Sequence, residues 1–228
     1  MHISALASGR LFFETYAPHL GSGTVVDIGA QDVNGSLKSC CPPGLKYIGV
    51  DFAHGKGVDV VLQDPYILPF EDDSMDVVVS SSCFEHSELF WVLFLEILRI
   101  LKPDGLFYLN APSNGPWHRY PVDCWRFYPD SGNALVTWAR RNGFDAALLE
   151  SFIGNQGTEE WNDFIAVFLK SRDRASIYPD RMLARKTDFT NGIVDRQAEI
   201  LNAQAVPEDG RKLAIISDLI SGRIEVKS

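Results

Sequence analysis

The 228-residue sequence predicts an α/β protein with a mixed seven-stranded sheet, an antiparallel hairpin at the sheet edge and a helical C-terminal extension. Short β-branched runs alternate with helical stretches, which is typical of strands joined by crossover helices. Residues 77–79 are all valine, as expected for a strand that is covered on both faces. Beyond residue 170 the strand pattern stops. We therefore predict a domain at 1–170 and an extension at 171–228.

Seven segments have the composition of strands. In chain order they are 24–28, 47–50, 58–62, 75–80, 106–110, 146–152 and 164–170. The first five belong to the series in which β-branched runs alternate with helical stretches, the pattern of a parallel sheet. The last two have only a turn-rich insert between them, so we expect an antiparallel hairpin at the edge of the sheet.

Helices are predicted at 87–101, 134–142, 195–204 and 212–220. Ser87 can cap the first of these, and the Lys-Pro-Asp-Gly sequence at 102–105 can end it, because proline cannot extend a helix and glycine permits the turn. The last helix carries an apolar stripe at helical spacing. Such a stripe packs either on the core or on another subunit, so a homodimer through the C-terminal extension is one expectation.

The formal charge of −9 argues against nucleic acid as the main partner, because an acidic surface does not attract phosphate backbones. The four cysteines include no C-x-x-C pair, which favours reduced thiols in a cytoplasmic protein. The first ten residues lack the pattern of a signal peptide. The most apolar stretch, at 89–101, is too short to span a bilayer and contains Glu96 and Arg99, so we expect no membrane span.

Acidic residues and a glycine follow the first three predicted strands. Gly29 comes directly after the first strand, where a glycine lets the backbone approach a ligand. Asp51 ends the second strand about twenty residues later, the position from which a carboxylate binds the hydroxyls of a nucleotide ribose. Asp64 follows the third strand, where an adenine can be bound. Each residue is also explained by an ordinary turn or by a solvated strand end.

Further motifs follow in a fixed order. They are Pro-Phe-Glu-Asp-Asp-Ser-Met-Asp-Val-Val at 69–78, Ser-Ser-Ser-Cys-Phe-Glu-His at 80–86 and Leu-Glu-Ile-Leu-Arg-Ile-Leu-Lys-Pro-Asp-Gly at 95–105. Together with the glycine turn and the acidic residues, this series resembles the class I S-adenosylmethionine-dependent methyltransferases, in particular those of type 11. The resemblance covers about residues 22–170. It implies a Rossmann-like sheet, S-adenosyl-L-methionine as cofactor and S-adenosyl-L-homocysteine as product.

The resemblance also implies which residues bind the cofactor: Asp27, Gly29 and Ala30 in the methionine-binding turn, Asp51 and Phe52 at the ribose, Gln63 and Asp64 at the adenine, and Ser80 and Ser81 after strand four. The chain departs from the family at Gln31 and Val33, where further glycines are common. The same departure argues against a G-x-G-x-x-G site and hence against the alternative of an NAD-dependent oxidoreductase. It also keeps open the alternative of a catalytically inactive, methyltransferase-like binding or scaffold protein.

The predicted loop after strand five is polar and rich in aromatic residues. Its His-Arg-Tyr-Pro-Val-Asp-Cys-Trp-Arg-Phe sequence at 118–127 resembles a segment of methyltransferases of cell-surface polysaccharide and other glycan biosynthesis. Aromatic rings flanked by charges suit sugars and small aromatic molecules, so we expect acceptor contacts from Trp117, Arg119, Trp125 and Arg126. The alternative is an aromatic lid that only packs over the cofactor.

Methylation of a hydroxyl on a small molecule or glycan precursor is the predicted reaction. An imidazole suits removal of the hydroxyl proton near neutral pH. His118 is the first candidate base, with Asp123 orienting it or acting instead, and His86 is the second candidate. A purely structural histidine is the alternative in both cases. The spacing of these residues matches no recognisable set of metal ligands, so no metal is predicted.

Overall fold

The structure, a computed structural model, describes residues 2–157 and 161–224. The strands are β1 (Gly23–Ile28), β2 (Leu45–Asp51), β3 (Val60–Val61), β4 (Met75–Ser81), β5 (Leu101–Pro112), β6 (Ala147–Gly154), β7 (Asp163–Leu169) and β8 (Phe189–Val194). The α-helices are α1 (Ile3–Tyr16), α2 (Phe90–Ile100), α3 (Ser131–Arg141) and α4 (Glu208–Ile220). Short 3₁₀ helices lie at Ala17–His19, Leu37–Cys40, Phe84–His86, Arg172–Ile177 and Met182–Ala184.

All of these strands belong to one sheet in the order β3-β2-β1-β4-β5-β7-β6-β8. The first five are parallel to one another. β7 lies antiparallel between β5 and β6, and β8 pairs antiparallel with β6 at the edge. The predicted α/β class, mixed sheet and C-terminal helix are therefore confirmed, and the sheet has eight strands in the described chain where seven were predicted.

The two faces of the sheet are covered differently. The residues that pack with α2 and α3 form one apolar cluster, in which Phe94, Phe107 and Phe168 are fully buried. On the other face α1 packs against the sheet through Phe12 and Tyr16. The sequence patterns discussed above did not identify α1, although its buried residues recur at the spacing of an amphipathic helix.

The helix predicted at 195–204 is wrong. Gly192 and Leu201 exchange two backbone hydrogen bonds of 2.8 Å, which makes the segment a short return next to β8. Arg196 and Asn202 have φ values of +62° and +49°, which a continuous helix does not allow. The segment has helix-forming residues but no wide apolar face, so pairing with β8 and packing of the partly buried Leu201 outweigh its helical propensity.

Three helix starts also differ from the prediction: α2, α3 and α4 begin at residues 90, 131 and 208, where 87, 134 and 212 were predicted. α2 begins at Phe90 and its N-cap is Leu89, whereas Ser87 ends the preceding 3₁₀ helix. α4 is attached near its N-terminus, where Glu208 Oε2 accepts hydrogen bonds of 2.9 Å from the Gln156 amide and from Asn162 Nδ2. Among the residues that the structure describes, no helix has the length and apolar character needed to cross a membrane.

Candidate functional site

A cavity of about 490 Å³ lies at the carboxyl ends of β1, β2 and β4. β1 lies between β2 and β4 in the sheet, so the chain order reverses at this point. Open α/β sheets bind ligands at such reversals, and the volume lies within the usual range of small-molecule sites. The cavity walls combine backbone from the turn after β1 with side chains from the segments after β2, β3 and β4.

The turn after β1 depends on Gly29. Its φ is +82°, and a Cβ atom added there would lie 2.6 Å from the Cβ of Cys83. The Gly29 and Ala30 amides donate to the carbonyl of Val50 at 2.9 and 3.1 Å, which joins the turn to β2. Because no side chain intervenes, the backbone of this turn reaches the cavity directly, as predicted for a ligand-binding turn.

Asp51 presents a buried carboxylate to the same cavity. Its Oδ2 accepts a hydrogen bond of 3.2 Å from the Gln31 amide, and its Oδ1 accepts one of 3.1 Å from the Ala53 amide. Each carboxylate oxygen has a second lone pair, so both can still accept from a pair of adjacent ribose hydroxyls. Phe52, with 52% of its side chain exposed, lies beside it on the cavity wall.

The segment after β3 contributes Gln63 and Pro65 to the cavity wall. Asp64 lies between them and is exposed. Its Oδ1 accepts a hydrogen bond of 2.8 Å from the Tyr66 amide, which is the geometry of an Asx turn. Gln63 therefore offers an amide directly to a ligand, while contact between Asp64 and an adenine stays a prediction.

Asp27 and Ser80 lie beneath the cavity floor. Asp27 accepts a hydrogen bond of 2.7 Å from the Tyr47 hydroxyl, and Ser80 donates one of 2.9 Å to the Ile28 carbonyl. Burial, partly offset by the Tyr47 hydrogen bond, raises the pKa of Asp27 to about 7. Neither residue is among those that line the cavity, and these contacts position β1, so their contact with a cofactor stays a prediction. Ser81 lines the cavity, and its buried hydroxyl has no hydrogen-bond partner within the described chain.

The loop after β5 folds back over the cavity. Its attachment point is Glu85, whose backbone carbonyl accepts hydrogen bonds of 2.8 and 3.2 Å from the amides of Cys124 and Trp125. His86 Nδ1 donates to the Val122 carbonyl. Tyr120 and Val122 line the cavity. The loop therefore forms part of the cavity wall, while its contact with an acceptor stays a prediction.

Asp123 organises this loop. Its carboxylate accepts hydrogen bonds of 2.6 and 2.9 Å from both terminal nitrogens of Arg126, and one of 2.7 Å from the His118 amide. The Arg126 hydrogen bonds hold the pKa of Asp123 down to about 2. A carboxylate with so low a pKa is a weak base, so the geometry favours the orienting role over the alternative in which Asp123 itself accepts the proton.

The two candidate bases meet at the loop. The His86 and His118 rings lie 4.9 Å apart between centroids, edge to face. Burial lowers the pKa of His86, which favours its neutral form. The buried side chain of Glu85 lies beside them, with 3.6 Å between its Oε1 and His86 Nε2, and burial raises its pKa to about 8. Glu85 was not among the predicted site residues, although it belongs to the Glu-His pair of the motif at 80–86.

The predicted acceptor residues differ in exposure and in their contacts. Trp117 has 73% of its side chain exposed, and the Arg119 guanidinium lies 5.9 Å from its ring centroid. Trp125 is fixed by a hydrogen bond of 2.9 Å to the Ser87 carbonyl. Arg126 donates to the Pro116 carbonyl at 2.8 Å in addition to Asp123. Trp117 and Arg119 are thus open to solvent, whereas Trp125 and Arg126 shape the loop.

Comparison with known proteins points consistently to methyltransferases. A family model described as a methyltransferase domain matches residues 15–109, from the end of α1 to β5. Residues 15–109 are thus similar to a methyltransferase domain. This match includes the glycine turn and every strand that borders the cavity, and it confirms the resemblance noted in the sequence.

Curated relatives of the chain are also named methyltransferases. The chain is 33% identical over 116 residues to an uncharacterized methyltransferase of Mycobacterium marinum, with 45% of each chain covered. It is 31% identical over 155 residues to an uncharacterized methyltransferase of Mycobacterium tuberculosis, covering 63% of this chain and 60% of that protein. The chain thus matches about half the length of these relatives.

Solved structures share the fold of the domain. The YcgJ protein of Bacillus subtilis has a TM-score of 0.52 and 15% identity, covering 75% of this chain and all of that chain. The 1,6-didemethyltoxoflavin-N1-methyltransferase of Burkholderia thailandensis, solved with S-adenosylhomocysteine, has a TM-score of 0.58 and 16% identity, covering 74% and 79%. At these identities the likeness concerns the fold.

Proposed function

We propose that the protein transfers a methyl group from S-adenosylmethionine to a hydroxyl of a small molecule or glycan precursor and releases S-adenosylhomocysteine. One observation carries the proposal. The cavity at the strand-order reversal is lined by Gly29, Asp51 and His86, and the ring of His118 lies 4.9 Å from that of His86. A nucleoside cofactor and an acceptor can therefore meet within one enclosure.

The residues present fit this cofactor. Asp51 offers two carboxylate oxygens to the ribose, and the Gly29 turn brings backbone to the methionine end. The unpaired hydroxyl of Ser81 requires a polar partner in the cavity, because a buried polar group without one is costly. When bound, the cofactor supplies an electrophilic methyl group on a sulfonium, and the cavity walls hold the two reactants in line.

The loop after β5 supplies the proposed acceptor chemistry. His118 takes the hydroxyl proton on a ring nitrogen, while the Asp123 carboxylate holds the His118 backbone and lies 3.4 Å from His118 Nδ1. His86 is the second candidate for this role. Exposed Trp117 and neighbouring Arg119 suit a sugar, because an aromatic ring covers its apolar face and a guanidinium donates to its hydroxyls.

Asp51→Asn tests the cofactor site. The substitution keeps the side-chain volume but puts an amide nitrogen in place of one carboxylate oxygen. Each lost hydrogen bond to a charged group contributes about 1.5–3 kcal/mol, which corresponds to at least about a tenfold rise in the Kd for S-adenosylmethionine. Asp59→Asn is the matched control, because the Asp59 carboxylate is exposed and accepts from the Gly49 amide. Calorimetric titration measures both.

Two results would overturn the proposal. One is tight binding of NADH without binding of S-adenosylmethionine, which would favour an oxidoreductase. The other is cofactor binding without transfer of a tritiated methyl group into any component of a cell extract, which would favour the binding or scaffold alternative. Where label is transferred, identification of the product as a methyl ether supports a hydroxyl acceptor, and an N-methyl or S-methyl product contradicts it.

A homodimer through the C-terminal extension is also proposed. The apolar stripe of α4 is exposed in the single chain, with Leu213 and Ile216 having 66% and 50% of their side chains accessible. Pairing two such stripes removes this surface from water.

A further inference from the structure

A cluster of one carboxylate and two imidazoles lies at the edge of the cofactor cavity. Glu85 and His86 belong to the 3₁₀ helix after β4, and His118 comes from the loop after β5. One potential ligand atom from each of the three lies within 4.8 Å of the other two. We propose that this cluster is a binding site for a divalent transition-metal ion, at the point where the acceptor meets the cofactor.

The histidines are oriented as metal ligands are. His86 Nδ1 donates to the Val122 carbonyl, which leaves the lone pair of Nε2 directed at the cluster, 3.6 Å from Glu85 Oε1. His118 Nδ1 lies 3.4 Å from Asp123 Oδ2 and 3.4 Å from the Pro116 carbonyl, so its proton points towards oxygen. Histidines that bind metals characteristically donate their other ring N–H to a carbonyl or carboxylate.

Glu85 gives an independent reason to place a cation here. Its side chain is 1% exposed, and its buried Oε2 has no hydrogen-bond partner within the described residues. A buried carboxylate oxygen without a partner is costly, and a bound cation removes that cost. The nearby guanidinium of Arg126 does not compete, because its hydrogen bonds go to Asp123 and to backbone carbonyls.

The ligand set indicates the kind of ion. Two imidazole nitrogens and one carboxylate suit Zn²⁺, Fe²⁺, Mn²⁺ or Co²⁺, whereas Ca²⁺ and Mg²⁺ prefer oxygen ligands alone. Three protein ligands leave further coordination positions open, as in catalytic metal sites. His86 also lines the cavity, so a ligand in the cavity can reach those positions.

The consequence for the reaction rests on the proposed function, whereas metal binding itself does not. An acceptor hydroxyl bound to the ion loses its proton to solvent at lower pH, because the metal stabilises the alkoxide. His118 is then a ligand rather than the base. Acceptors with two adjacent oxygens, such as vicinal diols of sugars, fit this arrangement because they can occupy two open positions.

The test uses the full chain, treated with a chelator and then desalted. Titration with ZnCl₂ in a calorimeter gives the stoichiometry, and titration with CoCl₂ followed by visible absorption reports the ligand type. We expect one ion per chain and cobalt bands without thiolate charge transfer. Glu85→Gln and His118→Ala should each raise the Kd at least about tenfold, because each removes a ligand. His54→Ala, which changes an exposed histidine elsewhere, should leave it unchanged.

The absence of stoichiometric binding to the unchanged chain would overturn the proposal, as would equal affinity in Glu85→Gln, His118→Ala and the control. Thiolate bands that persist in His118→Ala would assign the ion to the cysteines and would also overturn it. Circular dichroism confirms that each variant is folded, and Glu85→Gln preserves the shape of the site. Binding of S-adenosylhomocysteine is measured in a separate titration without metal. Absence of that binding would refute the proposed function but would not contradict the metal site.

Discussion

Replacement of Gly29 by alanine tests whether the backbone of the turn after β1 shapes the cofactor site. Gly29 has a φ of +82°, and an added Cβ would lie 2.6 Å from the Cβ and 2.8 Å from the Sγ of Cys83. Gly143, after α3, provides a matched control. Its φ is +90°, but an added Cβ would meet nothing within 4 Å. Comparison of the two variants therefore separates backbone strain from steric conflict.

The magnitudes follow from these two contributions. A left-handed backbone costs a residue with a Cβ about 1–2 kcal/mol relative to glycine, so Gly143→Ala should lose about that much stability. Gly29→Ala adds the displacement of Cys83, and overpacking of this kind costs about 1–3 kcal/mol. For a chain of this size 1 kcal/mol corresponds to about 2–4 °C in Tm, so an additional 2 kcal/mol lowers the Tm of Gly29→Ala by about 4–8 °C more.

The assay is thermal unfolding of both variants, combined with calorimetric titration of S-adenosylhomocysteine. Because Cys83 lines the cavity, its displacement in Gly29→Ala narrows the site, and we expect at least a loss of about tenfold in affinity, or about 1.4 kcal/mol. Gly143→Ala should bind normally. Equal Tm values for the two variants, together with unchanged affinity in Gly29→Ala, would refute the reasoning.

Three further predictions concern the loop, the floor and the C-terminal helix. His118→Ala should slow turnover at least about a hundredfold, by loss of the base or metal ligand, with the S-adenosylhomocysteine Kd unchanged; loss of both together would indicate a packing role. Burial raises the pKa of Asp27 to about 7, so the folded state holds this proton more tightly than the unfolded chain, and the free energy of unfolding falls as pH rises from about 4 to about 7. Melts across that range should show less pH dependence for Asp27→Asn, and identical profiles would contradict the assignment. Light scattering should find a dimer that Ile216→Glu dissociates and that Ala214→Glu, on the opposite face of α4, does not; a monomeric unchanged chain would exclude the dimer.

The central strands were predictable because their signal is local. β1 and β4 are runs of β-branched residues that are buried on both faces, and the observed bounds differ from the predicted ones by one residue at each. β8 was not predicted, since Phe189–Val194 contains Asn191 and Gly192 and has no regular alternation. β8 forms because the edge of β6 has unpaired backbone N–H and C=O groups. The segment that follows in the chain pairs with those groups in an antiparallel arrangement.

Some residues of the candidate site could likewise be located from the sequence, and others could not. Gly29 and Asp51 could be identified from the sequence because a turn and a strand end have fixed positions relative to a parallel sheet, and the structure places both on the cavity. The orientation of the Asp64 side chain could not be predicted from the sequence. Its hydrogen bond from the Tyr66 amide depends on the conformation of one exposed turn.

The sequence by itself determined the fold class, the likeness to methyltransferases and the edge of the sheet where the cavity lies, because these follow from strand order and from short motifs in fixed succession. Only the tertiary structure decided how Glu85, His86 and His118 meet. About thirty residues separate His118 from the other two, and hydrogen bonds from the loop to the Glu85 carbonyl and from His86 to the loop bring them together. Long-range contacts of this kind leave no local sequence pattern, because they are hydrogen bonds between the backbone of an irregular loop and residues that are distant in the chain.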